Sequence, residues 1–138
     1  MSHSIELTGR DLSLDDVWRV AHGEAEVALT GDAVERIRAS RAVVEDLVAS
    51  DEIVYGVTTG FGDLASKRIS AEDAQLLQHN LLLSHAVGVG PPHTAEVVRA
   101  MLLLRANALA NGFSGCRPVV VERLLDFLRI GIHPATLA

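Results

Sequence analysis

The residues with chemical potential cluster in Val54-Tyr55-Gly56-Val57-Thr58-Thr59-Gly60-Phe61-Gly62, where the only tyrosine of the chain stands among three glycines and two threonines. Glycine inside a helix or strand costs backbone entropy, so this composition predicts a loop, over about residues 51–69. Glycine also lets a backbone pass close to a ligand or take positive φ, so a side chain here, Tyr55 above all, can be aimed into a cleft and moved. A phenol with a reference pKa of about 10 is protonated near neutrality and acts as a base only where positive charge or hydrogen-bond donors stabilise the phenolate. Arg68 and Arg105 are the candidate charges. The other reading of Tyr55 is a core tyrosine with a satisfied hydroxyl.

A second group follows on the next predicted helix: Asn80, Ser84 and His85. His85 near a helix C-terminus is favoured in its cationic form by the helix dipole, though a hydrogen-bonded packing histidine fits the same position. Ser114-Gly115-Cys116 offers a nucleophile only with a base nearby; a loop glycine beside a lone buried thiol is the simpler reading. Other chemistries are excluded by spacing. Gly56-Val57-Thr58-Thr59-Gly60 lacks the Gly-Lys-Ser/Thr ending of a phosphate loop, and Gly56, Gly60 and Gly62 are not spaced as G-x-G-x-x-G, with no βαβ context predicted around them. The six histidines form no H-x-x-x-H pair and Cys116 has no C-x-x-C partner, so no metal site is expected. His79 and His85 lie about 600° apart on a helix and face different ways.

The elements that must hold these residues are mainly α-helical. At 138 residues, 49% hydrophobic and 22% charged, the chain has a globular composition, and one Trp, one Tyr and three Phe against abundant Ala, Val and Leu favour helix packing. Ile5 to Asp11 reads as a short extended lead-in. Ser13 with Asp16 opens a first helix that Gly23 ends, and Asp32 with Glu35 opens a second, whose Arg36, Arg38, Arg41, Glu45 and Asp46 read as a solvated face. Ser70 with Asp73 caps a third, and Gly88, Gly90, Pro91 and Pro92 stop it. Thr94 caps a fourth whose run Val97 to Leu104 is apolar almost all round, predicting burial on most faces. Pro118 suits the first turn of a fifth helix, with Gly131 as its C′ residue.

A formal charge of −6 argues against nucleic-acid and anionic-membrane partners, which need clustered Lys and Arg. One cysteine allows no internal disulfide and fits a reducing compartment. The first residues lack the basic and apolar regions of a signal peptide, and no stretch approaches the roughly 18 apolar residues of a membrane span. The expectation is a cytoplasmic protein.

Three stretches, Val54 to Gly62, Leu77-Gln78-His79-Asn80-Leu81-Leu82-Leu83-Ser84-His85-Ala86-Val87-Gly88-Val89-Gly90, and Arg105 to Pro118, together resemble the aromatic amino-acid ammonia-lyase family, in order, over about Leu7 to Pro134. The resemblance implies the N-terminal part, residues 1–138, of a mostly helical homotetrameric enzyme with shared active sites. It implies elimination of ammonia by an electrophilic methylidene-imidazolone made from an Ala-Ser-Gly triad. Tyr55 would be the catalytic base, Gly60 would give its loop freedom to cover the substrate, and Asn80, Ser84 and His85 would bind it. The Ser84-His85 pair is similar to that of the members acting on L-histidine, which yield trans-urocanate; a histidine there can hydrogen-bond an imidazole, whereas leucine would pack a benzene ring.

No Ala-Ser-Gly occurs in these 138 residues; the nearest strings are Ala39-Ser40-Arg41, Ala65-Ser66-Lys67 and Phe113-Ser114-Gly115. The resemblance places the triad shortly beyond the equivalent of Gly131-Ile132-His133-Pro134. The chain by itself is therefore expected to be inactive, and a missing second segment is expected to complete it. A non-catalytic helical interaction module, or a lyase for another aromatic amino acid, are the alternatives. If Leu102, Leu103, Leu104, Leu125 and Leu128 pack against that missing segment, the chain alone exposes an apolar patch.

Overall fold

The computed structural model describes residues 3–50, 52–60 and 69–134. It divides into two compact units: Met1–Ala42 with Gly90–Ala138, and Val43–Val89. The element order is β1 (His3–Leu7), α1 (Leu14–Ala21), β2 (Ala25–Leu29), α2 (Gly31–Ala49), α3 (Ala71–His85), α4 (Ala95–Ala110) and α5 (Pro118–Ile130). The mainly helical class expected from composition is what the structure shows.

In the first unit β1 and β2 pair in parallel, with Ile5 opposite Val27 and Leu7 opposite Leu29. Of the extended lead-in only Ile5 to Leu7 is sheet strand, Thr8 to Asp11 turning about the Thr8 hydroxyl, and β2 is an element that the sequence reading missed. A small β1-α1-β2 crossover results, lying outside the glycine loop of residues 54–62. α1 starts as its sequence dictates: the Ser13 hydroxyl accepts from the Asp16 backbone N–H while the Asp16 carboxylate accepts from the Ser13 N–H, closing a capping box. The largest wholly buried side chains are Leu7, Val20, Ile37, Leu103 and Val121, one from each of β1, α1, α2, α4 and α5.

Two arginines bind helix ends and strand ends together. Arg99 on α4 donates from Nε to the Val20 carbonyl, which also accepts from the Gly23 N–H, and from Nη1 to the Leu128 carbonyl, both at 2.9 Å, tying together the C-terminal turns of α1 and α5. Arg36 on α2 donates to the carbonyls of Thr8 and Ala110. Arg41 reaches the Gly115 carbonyl, and the Gly115 N–H donates to Ser40 Oγ at 3.0 Å. The charged side of α2 is therefore solvated only in part: Arg38 pairs with Glu35 at 2.7 Å in the open, while Arg36 and Arg41 are taken up by backbone carbonyls.

α4 also departs from expectation. Val98, Leu103, Ala106 and Ala110 are buried, but Met101 is 45% exposed and Leu104 51%. Leu103, Leu125 and Leu128, expected among the residues left open, are instead within the chain's own core. Open apolar surface on α4 includes a groove of about 560 Å³ lined by Val98, Met101, Leu102, Leu104, Arg105 and Leu124, with Pro134 on its wall. Thr94 occupies the N-cap of α4 without the expected side-chain bond to the backbone; the Glu96 backbone N–H, and after it the Thr94 hydroxyl, hold the Glu96 carboxylate below its ordinary pKa. Pro118 at the start of α5 and Gly131 at its end, with φ 71°, stand as expected. Cys116 is half-buried against the core, in keeping with a packing thiol.

Candidate active site

Tyr55, Gly60, Asn80, Ser84 and His85 all belong to the second unit, Val43–Val89. The tyrosine sits at a turn. The Val57 N–H donates to the Val54 carbonyl at 3.1 Å and the Thr58 N–H to the same oxygen at 3.0 Å, so Tyr55 and Gly56 form the bend. Gly56 has φ 72°, a value that costs an L side chain and that type II turns require of their third residue. Tyr55 is exposed at 63%, so a core tyrosine is excluded within this chain.

The two threonines, given no role in the sequence reading, explain how a glycine-rich loop keeps its shape. Thr58 is 7% and Thr59 4% exposed. Thr58 Oγ1 accepts from the Val54 N–H and donates to the Glu52 carbonyl, both at 2.8 Å, and the Thr58 carbonyl accepts from the Ile69 N–H at 3.1 Å. Thr59 Oγ1 accepts from the Gly56 N–H at 3.3 Å and donates to the Gly60 carbonyl at 3.0 Å. Buried hydroxyls thus satisfy backbone groups on both sides of Tyr55 that a loop would otherwise leave open, and the tyrosine is presented from a fixed base. Gly60 is buried; the loop's remainder, Phe61 to Arg68, lies outside the described residues, and with it the candidate charge of Arg68. The other candidate, Arg105, is exposed at the α4 groove of the first unit.

α3 is set by its cap: the Ser70 hydroxyl accepts from the Asp73 N–H at 3.1 Å. Gln78, Leu81, Leu82 and His85 follow at i, i+3, i+4 and i+7, which places them along one stripe of the helix. With Ala86 they line an open hollow of about 300 Å³. Asn80 and Ser84 are four residues apart and share a neighbouring stripe, so the structure groups His85 with Gln78 rather than with Asn80. Gln78 was not singled out from sequence; its place seven residues before His85 is the signal that finds it. His85 Nδ1 lies 3.0 Å from the Leu81 carbonyl and 3.0 Å from Ser84 Oγ, which itself donates to Leu81 O at 3.1 Å. The arrangement presents two kinds of chemistry in one unit: an exposed phenol on a pinned turn, and an imidazole with an amide over an apolar helix face.

Against known proteins, the sequence matches the aromatic amino acid lyase family over residues 12–137. It is 55% identical over 130 residues to a histidine ammonia-lyase of Geobacillus thermodenitrificans, covering 94% of this chain and 26% of that protein. The solved structure of a histidine ammonia-lyase from Trypanosoma cruzi superposes with TM-score 0.89 at 35% identity, over 97% of this chain and 26% of that one. An ergothioneine-degrading ergothionase from Treponema denticola superposes with TM-score 0.91 at 38% identity, over 97% and 27%. The chain thus spans about a quarter of the length of the relatives it matches. With the family matched over nearly all of its residues, and relatives that share both its sequence and its helical architecture, this chain belongs to the aromatic amino acid lyase family.

Proposed function

We propose that this chain supplies the tyrosine loop and the substrate-recognition helix of an ammonia-lyase acting on L-histidine, and that it works only together with polypeptide corresponding to the remaining three quarters of its relatives. The observation that carries the reading is His85, lining the α3 hollow with a ring nitrogen that bonds nothing among the described residues, in a chain 55% identical to a histidine ammonia-lyase. An imidazole-bearing substrate can exchange a hydrogen bond with that nitrogen, and Leu81 and Leu82 supply the apolar floor beneath the ring. Tyr55 takes the proton from the substrate's β-carbon, a weakly acidic position that needs a placed base.

These 138 residues hold no Ala-Ser-Gly precursor, so they do not make the methylidene-imidazolone that the family resemblance implies. That electrophile would accept the substrate's electrons from outside this chain. The α4 groove gives such polypeptide a seat: relatives carry about three times this length in addition, and Met101 and Leu104 are open to be covered by it. A homotetramer with shared sites follows from the same reading, as does a cytoplasmic setting suited to a single reduced cysteine.

The substrate assignment is tested by mixing the chain with the downstream portion of the Geobacillus relative and assaying histidine, phenylalanine and tyrosine separately. The expected result is ammonia release from histidine at a kcat/KM at least about 100-fold above the other two, since a site built around a hydrogen-bonding group discriminates strongly against substrates lacking one. His85→Leu is expected to narrow that ratio. Preference for phenylalanine by the wild-type assembly would reject histidine as the substrate.

A further inference from the structure

The three short contacts around Leu81, Ser84 and His85 contain only two hydrogens between them if they are all favourable, and this fixes where the hydrogens are. The Leu81 carbonyl oxygen is an acceptor only, yet both His85 Nδ1, at 3.0 Å, and Ser84 Oγ, at 3.1 Å, lie against it. If Nδ1 carried no proton, its lone pair would face that oxygen, and a Ser84 hydroxyl turned to Nδ1 would leave a second lone pair facing it as well. With Nδ1 protonated, its N–H is shared between Leu81 O and Ser84 Oγ, at 3.0 Å each, and the Ser84 O–H goes to Leu81 O. Every contact is then donor to acceptor.

We infer that Ser84 and the Leu81 carbonyl hold neutral His85 as its Nδ1–H tautomer, so that Ser84 is a positioning residue and the ring offers a ligand the unprotonated Nε2. Nε2 makes no hydrogen bond among the described residues, and His85 is exposed where it lines the α3 hollow. The ligand group it receives must be a hydrogen-bond donor. In the proposed reaction, on which this consequence rests, that donor is the ring N–H of an imidazole substrate; a benzene ring has none to give. The same helical contact recurs at His22, whose Nδ1 lies 2.8 Å from the Trp18 carbonyl four residues earlier, with no serine beside it. Ser84 is the part peculiar to the candidate site.

The test is long-range ¹H–¹⁵N correlation of the imidazole rings in the full ¹⁵N-labelled chain at alkaline pH, with the His85 signals identified by their loss in His85→Gln. The expected spectrum gives His85 the Nδ1-protonated pattern; an Nε2-protonated pattern, or an average of the two, overturns the inference. In Ser84→Ala the His85 pattern is expected to shift toward the average, and in Ser84→Thr, which keeps the hydroxyl, to stay, with backbone amide signals elsewhere unchanged in both. An unaltered His85 pattern in Ser84→Ala would remove the serine from the role. Failure of the assembled enzyme to use histidine, with the tautomer as assigned, would reject the substrate reading and leave this one standing.

Discussion

In an assembled, active enzyme Tyr55→Phe is expected to lower kcat for histidine by about 10²–10⁴-fold, the range that a placed general base contributes. The substitution removes one oxygen from a side chain that is 63% exposed at a turn apex, so the packing of the chain has little to lose. The bonds that shape the turn run between the Thr58 and Thr59 hydroxyls and backbone groups of residues 52 to 58. KM is expected to change far less than kcat, because a base acts as the proton moves and binds the ground state weakly. Steady-state kinetics beside circular dichroism separates the possibilities. Near wild-type kcat in a folded Tyr55→Phe assembly would end the assignment of Tyr55 as base.

The largest effect on stability is expected at Gly9, far from any chemistry. A Cβ there would stand 2.6 Å from the Asn111 nitrogen and 2.7 Å from the Ala110 carbonyl carbon, both backbone atoms at the end of α4 that no rotamer change can move. Its φ of 85° adds the cost of a left-handed conformation, of order 1–3 kcal/mol for a side-chain-bearing residue. Overpacking at a backbone contact adds a similar amount, so Gly9→Ala should lose about 3–5 kcal/mol, a large share of the roughly 5–15 kcal/mol that holds a domain together. Gly23 provides the control: its φ is 74° but nothing lies within 4 Å of a Cβ, so Gly23→Ala should lose only the conformational cost. Urea midpoints of the two variants and the wild type read the difference. Equal losses at both positions would show that the close approach of Gly9 to α4 does not exist in solution.

That contact marks the limit of what the sequence discloses. Several starts and ends of helices were readable because their signals are local: Ser13 with Asp16, Ser70 with Asp73, Pro118 and Gly131 each act on backbone groups within a turn of themselves, whereas α2 is capped by Thr30 and not opened by Asp32 with Glu35. β2 was not, because Ala25-Glu26-Val27-Ala28-Leu29 is five residues of modest strand propensity that become a strand by pairing with β1, some twenty residues earlier. Arg36 looked solvated because charge on a helix usually is, and only the arrival of Thr8 and Ala110 from distant elements gives its guanidinium partners. At the candidate site, Tyr55, Ser84 and His85 stood out by type and by family resemblance, whereas the hydroxyl network of Thr58 and Thr59 and the tautomer at His85 depend on distances of about 3 Å that composition does not carry. The exposure of Leu104 beside the burial of Leu103 follows the same logic, since neighbours on a helix face different directions and only packing decides which faces inward.

The most direct test of the account titrates this chain into a fixed amount of the downstream portion of the Geobacillus histidine ammonia-lyase, following ammonia release from L-histidine. No release is expected from either component alone; on mixing, a rise is expected that saturates at one copy of this chain per copy of the other, and Leu104→Asp, which puts a charge into the groove, should give a weaker, right-shifted curve. Turnover by this chain alone would contradict the proposed function. So would a stable one-to-one complex that leaves histidine untouched.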